Sequence, residues 1–185
     1  MSNAAQKKAR VLVVGGGHAG IEACLAALRI GAHVTLVTLN RGTIGRMPCN
    51  PAVGGQAKGH LVREMDALDG AMARAADKTT IQFKYLNTRK GLAVRSSRAQ
   101  VDRHLYQAHM GQLIGGLHGL DVVEDEALGL LRDGGRVVGI ELSGGEKLEA
   151  DAFWPFLFGA VRFLLFDICL HFLCNIDSFG LLSSL

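Results

Sequence analysis

The stretch Gly15-Gly16-Gly17-His18-Ala19-Gly20 constrains this chain more than any other. It follows a short Val-rich run, Arg10 to Val14, that reads as a buried parallel strand. From Gly17 to Ile30, Ala19, Ala23, Ala26, Ala27 and Ile30 recur at helical spacing, and Gly31 supplies the stop. Ala32 to Leu39 then reads as a second strand. Strand, glycine turn, helix and strand make a βαβ unit. Within it Gly15, Gly17 and Gly20 match GxGxxG. The first glycine permits the tight turn, the second lets a pyrophosphate approach the backbone, and the third lets the helix pack close to the sheet. A helix starting there presents free N–H groups and a positive dipole end to an anion. The fold expected is therefore α/β, a Rossmann-type dinucleotide-binding domain with a parallel sheet.

One feature of the fingerprint is missing. The second strand usually ends on Asp or Glu, which holds the ribose hydroxyls. Here it ends on Thr38-Leu39-Asn40. Thr and Asn hydrogen-bond a ribose less strongly than a carboxylate does, so spacing alone leaves FAD and NAD both open.

Beyond the unit, residues 40–59 are dense in Gly, Pro and Asn and read as a long loop, a length that usually carries function or disorder. His60 to Ala76 reads as helix with a break at Asp69-Gly70, and Ile81 to Leu86 as a strand. Asn87 to Ser97 reads as a basic loop and Arg98 to Leu117 as a helix. Asp121 to Glu149, with turns at Asp133-Gly134-Gly135 and Gly144-Gly145, reads as an antiparallel β-meander inserted in the domain.

Further motifs carry a family. Glu22-Ala23, Thr43-Ile44-Gly45, Cys49-Asn50-Pro51-Ala52 with Gly54-Gly55, Lys58-Gly59-His60-Leu61-Val62, and Asp66-Ala67-Leu68 with Gly70 follow the glycine turn. Ile81-Gln82-Phe83, Leu86-Asn87, Lys90-Gly91 with Ala93-Val94, and Arg98-Ala99-Gln100 with Asp102-Arg103 continue the series. Together they resemble the glucose-inhibited division protein A family, large subunit of the tRNA uridine 5-carboxymethylaminomethyl modification enzyme. The resemblance covers roughly residues 10–150. It implies a flavoprotein that binds FAD, takes NADH as reductant and methylenetetrahydrofolate as one-carbon donor, and modifies the wobble uridine of tRNA. It also implies a GTPase partner subunit and, in full-length relatives, a homodimer. Members carry Thr-x-Asn at the end of the second strand, as here. By resemblance, the cofactor-binding residues are Gly15, Gly16, Gly17, His18, Ala19, Gly20, Thr38, Leu39, Asn40, Gly45 and Asn50, with Ala127 contacting the adenine through its backbone. Two segments depart from the pattern, Gly45-Arg46-Met47-Pro48-Cys49-Asn50-Pro51 and Lys90-Gly91-Leu92-Ala93-Val94.

The resemblance makes Cys49 the candidate catalytic thiol, for chemistry on the uridine or on a folate adduct. The competing reading is a loop cysteine packed beside the flavin. His18 is expected to orient the phosphate turn or touch the cofactor. A metal role is not expected, since no partner ligands stand nearby and no zinc spacing links Cys24, Cys49, Cys169 and Cys174. Lys84, Arg89, Lys90, Arg95, Arg98 and Arg103 form a basic stretch. A solvated surface is the favoured reading; a phosphate face for tRNA is the other, and the family adds a third, that Lys90-Gly91 and Arg98-Ala99-Gln100 line the flavin and substrate cleft.

Composition breaks near residue 150. Of the eight Phe only Phe83 precedes Phe153, and the single Trp is Trp154. The expected organisation is a flexible N-terminus (1–9), the FAD-binding domain (10–150) and an aberrant apolar tail (151–185). Family members continue past the position of Ala150 with a Val-rich strand and a turn that closes the cofactor site. This chain departs there, which reads as a truncated product with its last residues out of register. Ala152 to Cys174 is long enough to span a bilayer. Pro155, Arg162, Asp167 and His171 interrupt it, and charges at mid-span are costly, so a membrane segment is disfavoured against a makeshift strand or an exposed tail. With no apolar signal core at the N-terminus, the chain reads as cytoplasmic. Three functional readings stay open: the FAD-binding part of the tRNA-modifying flavoenzyme, a cofactor-binding remnant without turnover, and a generic NAD(P)-dependent oxidoreductase.

Overall fold

The computed structural model describes residues 8–47 and 50–155. Strand β1 (Arg10–Val14), helix α1 (His18–Arg29) and strand β2 (His33–Thr38) form the expected βαβ unit, with both strands parallel. The sheet is completed by β6 (Leu120–Glu124) beside β2 and β10 (Ala152–Pro155) beside β1, giving the order β10-β1-β2-β6. Both added strands also run parallel to their neighbours.

Alternation along the strands sends side chains to two different layers. Val13, Val34 and Leu36 face a core built with Ile21, Cys24 and Leu25 of α1. Tyr106, Met110 and Ile114 of α4 (Arg103–Gly115) close that core. Leu12 and Val37 face the other way and meet Ile140 and Leu142. Those two belong to an antiparallel meander of β7 (Ala127–Asp133), β8 (Arg136–Leu142) and β9 (Lys147–Glu149). The parallel sheet thus lies between helices and a meander, and its strands are apolar on both faces, as a doubly covered sheet requires.

A separate antiparallel sheet, ordered β3-β5-β4, is made by β3 (Ala52–Gly54), β4 (Thr80–Leu86) and β5 (Ser96–Val101). Helices α2 (Lys58–Ala67) and α3 (Ala71–Thr79) connect β3 to β4. Asp69, at φ 64°, breaks the two helices apart where the sequence indicates. Helix α3 has no cap of its own at Gly70. The Glu22 carboxylate of α1 supplies one, accepting from Ala71 N at 2.9 Å and Met72 N at 2.8 Å.

Three expectations are corrected. The loop expected over residues 40–59 contains a 3-10 turn, Arg41–Thr43, and strand β3, and α2 begins at Lys58. A three-residue strand carries no readable periodicity; it exists because β5 offers a partner. Residues 98–101 are strand, not the start of the helix, which begins at Arg103. Their helical propensity yields to pairing with both β3 and β4. Asp102 marks the true start, its carboxylate accepting from His104 N and Leu105 N, each at 2.9 Å. Finally, β6 is an edge of the parallel sheet and not part of the meander.

Candidate functional site: the glycine turn

The turn from β1 into α1 is tied to the end of β2. Gly15, at φ 107°, donates its N–H to Val37 O at 2.8 Å. A side chain is disfavoured at that φ, which glycine adopts freely. A Cβ on Gly20 would stand 1.9 Å from Gly15 O, so only glycine lets α1 approach β1 this closely. A Cβ on Gly16 would meet Thr38 Oγ1 and Ile44 Cγ1, both at 3.0 Å. Gly16 O in turn accepts from Gly45 N at 2.9 Å, which fastens the loop after β2 to the turn.

Gly17 is the extended residue before α1, and no side chain caps the helix. No acid sits in its first turn. The first N–H groups of α1 therefore point out of the turn with the positive end of the helix dipole behind them. This is the arrangement that receives a phosphate.

The residues expected around the turn are brought together unequally. Thr38 is buried, with its side chain against Gly16 and its carbonyl accepting from Asp125 N at 3.0 Å. Leu39 is exposed. Asn40 spends its side-chain oxygen on Gly42 N at 2.7 Å, capping the 3-10 turn. Ala127 opens β7 two residues after Asp125, at the same end of the parallel sheet. Asn50 is exposed on the loop, while Cys49 and Pro48 lie outside the described residues.

His18 sits at the first position of α1 with its Nε2 buried and unpartnered. Burial, and then the nearby Lys58 charge, lower its pKa to about 4, so the imidazole is neutral at pH 7. Its ring lies 5.6 Å from that of Tyr106, whose hydroxyl is also buried without a partner. Burial, reinforced by the Glu22 charge, pushes the phenol well above its ordinary range. A buried polar group left unpaired costs about 1–3 kcal/mol. Two of them beside an uncapped helix start fit a polar ligand at the turn.

The sequence reading missed the acids at the end of β6. Glu124 stands in register with Thr38, at the strand end beside the one where the fingerprint acid belongs. Its carboxylate accepts from Arg41 N at 2.8 Å. Asp125 accepts from the Ser143 hydroxyl and from Glu126 N at 2.7 Å, bonds that in that order hold its carboxyl below the usual range. The only local feature there is a run of three acids, Glu124-Asp125-Glu126, which does not mark the end of a parallel strand by itself.

The basic stretch is spread over several elements. Lys84 and Arg98 are paired across β4 and β5, Arg103 opens α4, and Arg89, Lys90 and Arg95 lie on the connection between β4 and β5.

Comparison with known proteins decides the family. The family model described as Glucose inhibited division protein A matches residues 10–154. The chain belongs to the glucose-inhibited division protein A family. Among curated members, the tRNA uridine 5-carboxymethylaminomethyl modification enzyme MnmG of Desulfotalea psychrophila is 51% identical over 142 residues, 77% of this chain and 22% of that protein. The MnmG of Aquifex aeolicus is 49% identical over 142 residues, 77% of this chain and 23% of that one. A solved structure of Aquifex aeolicus GidA superposes with a TM-score of 0.75 at 46% identity, over 80% of this chain and 25% of that one. The chain thus spans about a quarter of the length of the relatives it matches. The glycine turn, β2 with its Thr38-Leu39-Asn40 ending, and the meander all fall inside the matched region. Among the described residues no cluster of metal-binding side chains occurs, and no helix is long and apolar enough to cross a membrane.

Proposed function

We propose that residues 10–155 form the FAD-binding part of the flavoenzyme that installs the carboxymethylaminomethyl group at C5 of the tRNA wobble uridine. The observation that carries the reading is the turn itself: Gly20 pressed on Gly15, a helix start without a cap, and the buried, unpartnered Nε2 of His18. Family membership directs that dinucleotide site to FAD.

In this reading Gly15, Gly16, Gly17 and the first N–H groups of α1 receive the pyrophosphate. His18 offers a neutral imidazole at the turn, where a charged one is disfavoured by burial. Thr38, Asn40 and Glu124 surround the ribose end, and the backbone of Ala127 meets the adenine. A flavin held there would supply hydride-transfer chemistry, which amino-acid side chains do not perform. NADH as reductant, methylenetetrahydrofolate as one-carbon donor, a GTPase partner and, for full-length relatives, a homodimer belong to the same proposal, which rests for them on the family resemblance alone. Cys49 is the thiol proposed to act on the uridine or the folate adduct.

The test is a pair of measurements on the purified chain: flavin retained through desalting, and modification of unmodified tRNA with NADH and methylenetetrahydrofolate present. Flavin retention supports the cofactor assignment. A folded chain that takes up no flavin contradicts it.

A further inference from the structure

The antiparallel sheet has two unlike faces. Phe83, Ser97 and Ala99 line a cleft of about 200 Å³ against α2 and α3. The alternate residues of β4 and β5 point to the opposite side. On that side Gln82 stands opposite Gln100, and Lys84 stands opposite Arg98. Directly opposed side chains of an antiparallel pair have Cβ atoms about 4.5–5.5 Å apart, so two cations share one rung. On its other flank Arg98 pairs with Gly54, which has no side chain.

A third cation, Lys58, lies within electrostatic reach of Arg98. Lys58, at the start of α2, donates from Nζ to the carbonyl of Ala52 at 2.9 Å, which holds the ammonium against β3. Burial and the Arg98 charge both lower its pKa. Lys58 is also the charge that reaches His18 in the glycine turn. Among the described residues, no carboxylate forms an ion pair with Lys58, Lys84 or Arg98. Like charges directly opposed on a sheet are destabilising, and this pair, with Lys58 in reach of Arg98 and no acid paired to any of the three, leaves a local field that an anion relieves.

We propose that Lys58, Lys84 and Arg98 form a phosphate site for the polynucleotide substrate, on the flank of the cofactor turn. The proposal rests on the tRNA-modifying reading above. The cofactor's own phosphates have α1 for their donors, so these three cations serve a second anion. Arg98 offers the planar fork that matches a phosphate, and the two lysines add point charge. The paired amides of Gln82 and Gln100, next along the strands, offer donors and acceptors to a ribose or base edge. An extended ligand with repeating phosphates uses all of these; a free phosphate uses one rung.

The experiment is a titration of the whole 185-residue chain against a fluorescein-labelled RNA hairpin with a single-stranded loop. Fluorescence anisotropy is read across a salt series, with FAD binding measured in parallel. The parent is compared with Lys84→Gln, Arg98→Gln and the double variant, each checked for fold by circular dichroism. Lys84 is exposed, so its substitution leaves the fold intact even if Arg98→Gln does not. Each phosphate contact removed lowers the slope of log affinity against log salt by about 0.7, which is roughly fivefold in affinity at about 0.1 M salt. The expected result is that loss for each variant, a compound loss for the double variant, and unchanged FAD binding. A parent that binds RNA, with variants of equal affinity and slope, overturns the site and leaves the tRNA reading standing. Variants that lose FAD and keep RNA assign the cations to the cofactor and overturn it too. A parent that binds FAD but no RNA overturns the site together with the tRNA reading.

Discussion

The carbonyl oxygen of Gly15 occupies the place a methyl group on Gly20 would need, 1.9 Å from the carbon. The obstacle is backbone, so it cannot rotate away, and the start of α1 must shift if Gly20 acquires a side chain. Gly20→Ala is expected to cost about 1–3 kcal/mol of stability by overpacking. It should also weaken FAD binding by about tenfold or more, since displaced N–H groups lose about 1.4 kcal/mol of phosphate contact per decade. Urea unfolding and flavin fluorescence titration read the two effects separately.

Glu22 does the work of a cap for a helix 49 residues away, through its bonds to Ala71 N and Met72 N. Glu22→Ala leaves the start of α3 without acceptors and is expected to cost about 1–3 kcal/mol. Glu22→Gln keeps an acceptor oxygen and should cost less. The exposed Glu64 serves as control, and Glu64→Gln should leave the urea midpoint unchanged.

His18 gives the fold a dependence on pH. Its folded pKa lies near 4, below the ordinary 6.5 of an unfolded histidine. Between those values the unfolded chain binds a proton that the folded chain refuses, so stability falls as pH drops through that window. Above about pH 7 both states are neutral and the contribution is constant. The parent should lose more stability than His18→Asn between pH 7 and pH 5, measured as the difference in urea midpoints. Equal losses would show that His18 is not the group responsible.

Tyr106 is fully buried, yet its hydroxyl has no partner. Removing that oxygen removes an unpaired polar group, so Tyr106→Phe is expected to be neutral or stabilising by up to about 1 kcal/mol in the absence of cofactor. Tyr106→Ala opens a cavity at the centre of the helical core and should cost about 3–5 kcal/mol. Thermal denaturation of the two variants separates the hydroxyl from the ring.

Much of this was legible in the residues. The glycine turn, α1 and β2 followed from periodicity and from glycines whose contacts the structure supplies, Gly15 and Gly20 above all. The family motifs pointed to the same domain. What stayed hidden was set by pairing across long stretches of chain. Residues 98–101 favour helix locally, and only β3 and β4 on either side make them a strand. Leu120–Glu124 alternates no differently in a parallel edge than in a meander, so its place beside β2 was unreadable. Glu124 was missed for the same reason: its register with Thr38 is a property of the sheet, not of local sequence. Asp125, tied to Thr38 O through its N–H, had no signature beyond its neighbour.

The central claim is that the turn from Gly15 to Gly20 holds FAD, and the visible absorbance spectrum of the purified chain after FAD loading and desalting tests it most directly. A bound flavin spectrum at one equivalent per chain is expected in the parent, and its loss in Gly20→Ala. A parent folded by circular dichroism that retains no flavin, or that binds NAD in its place, would contradict it.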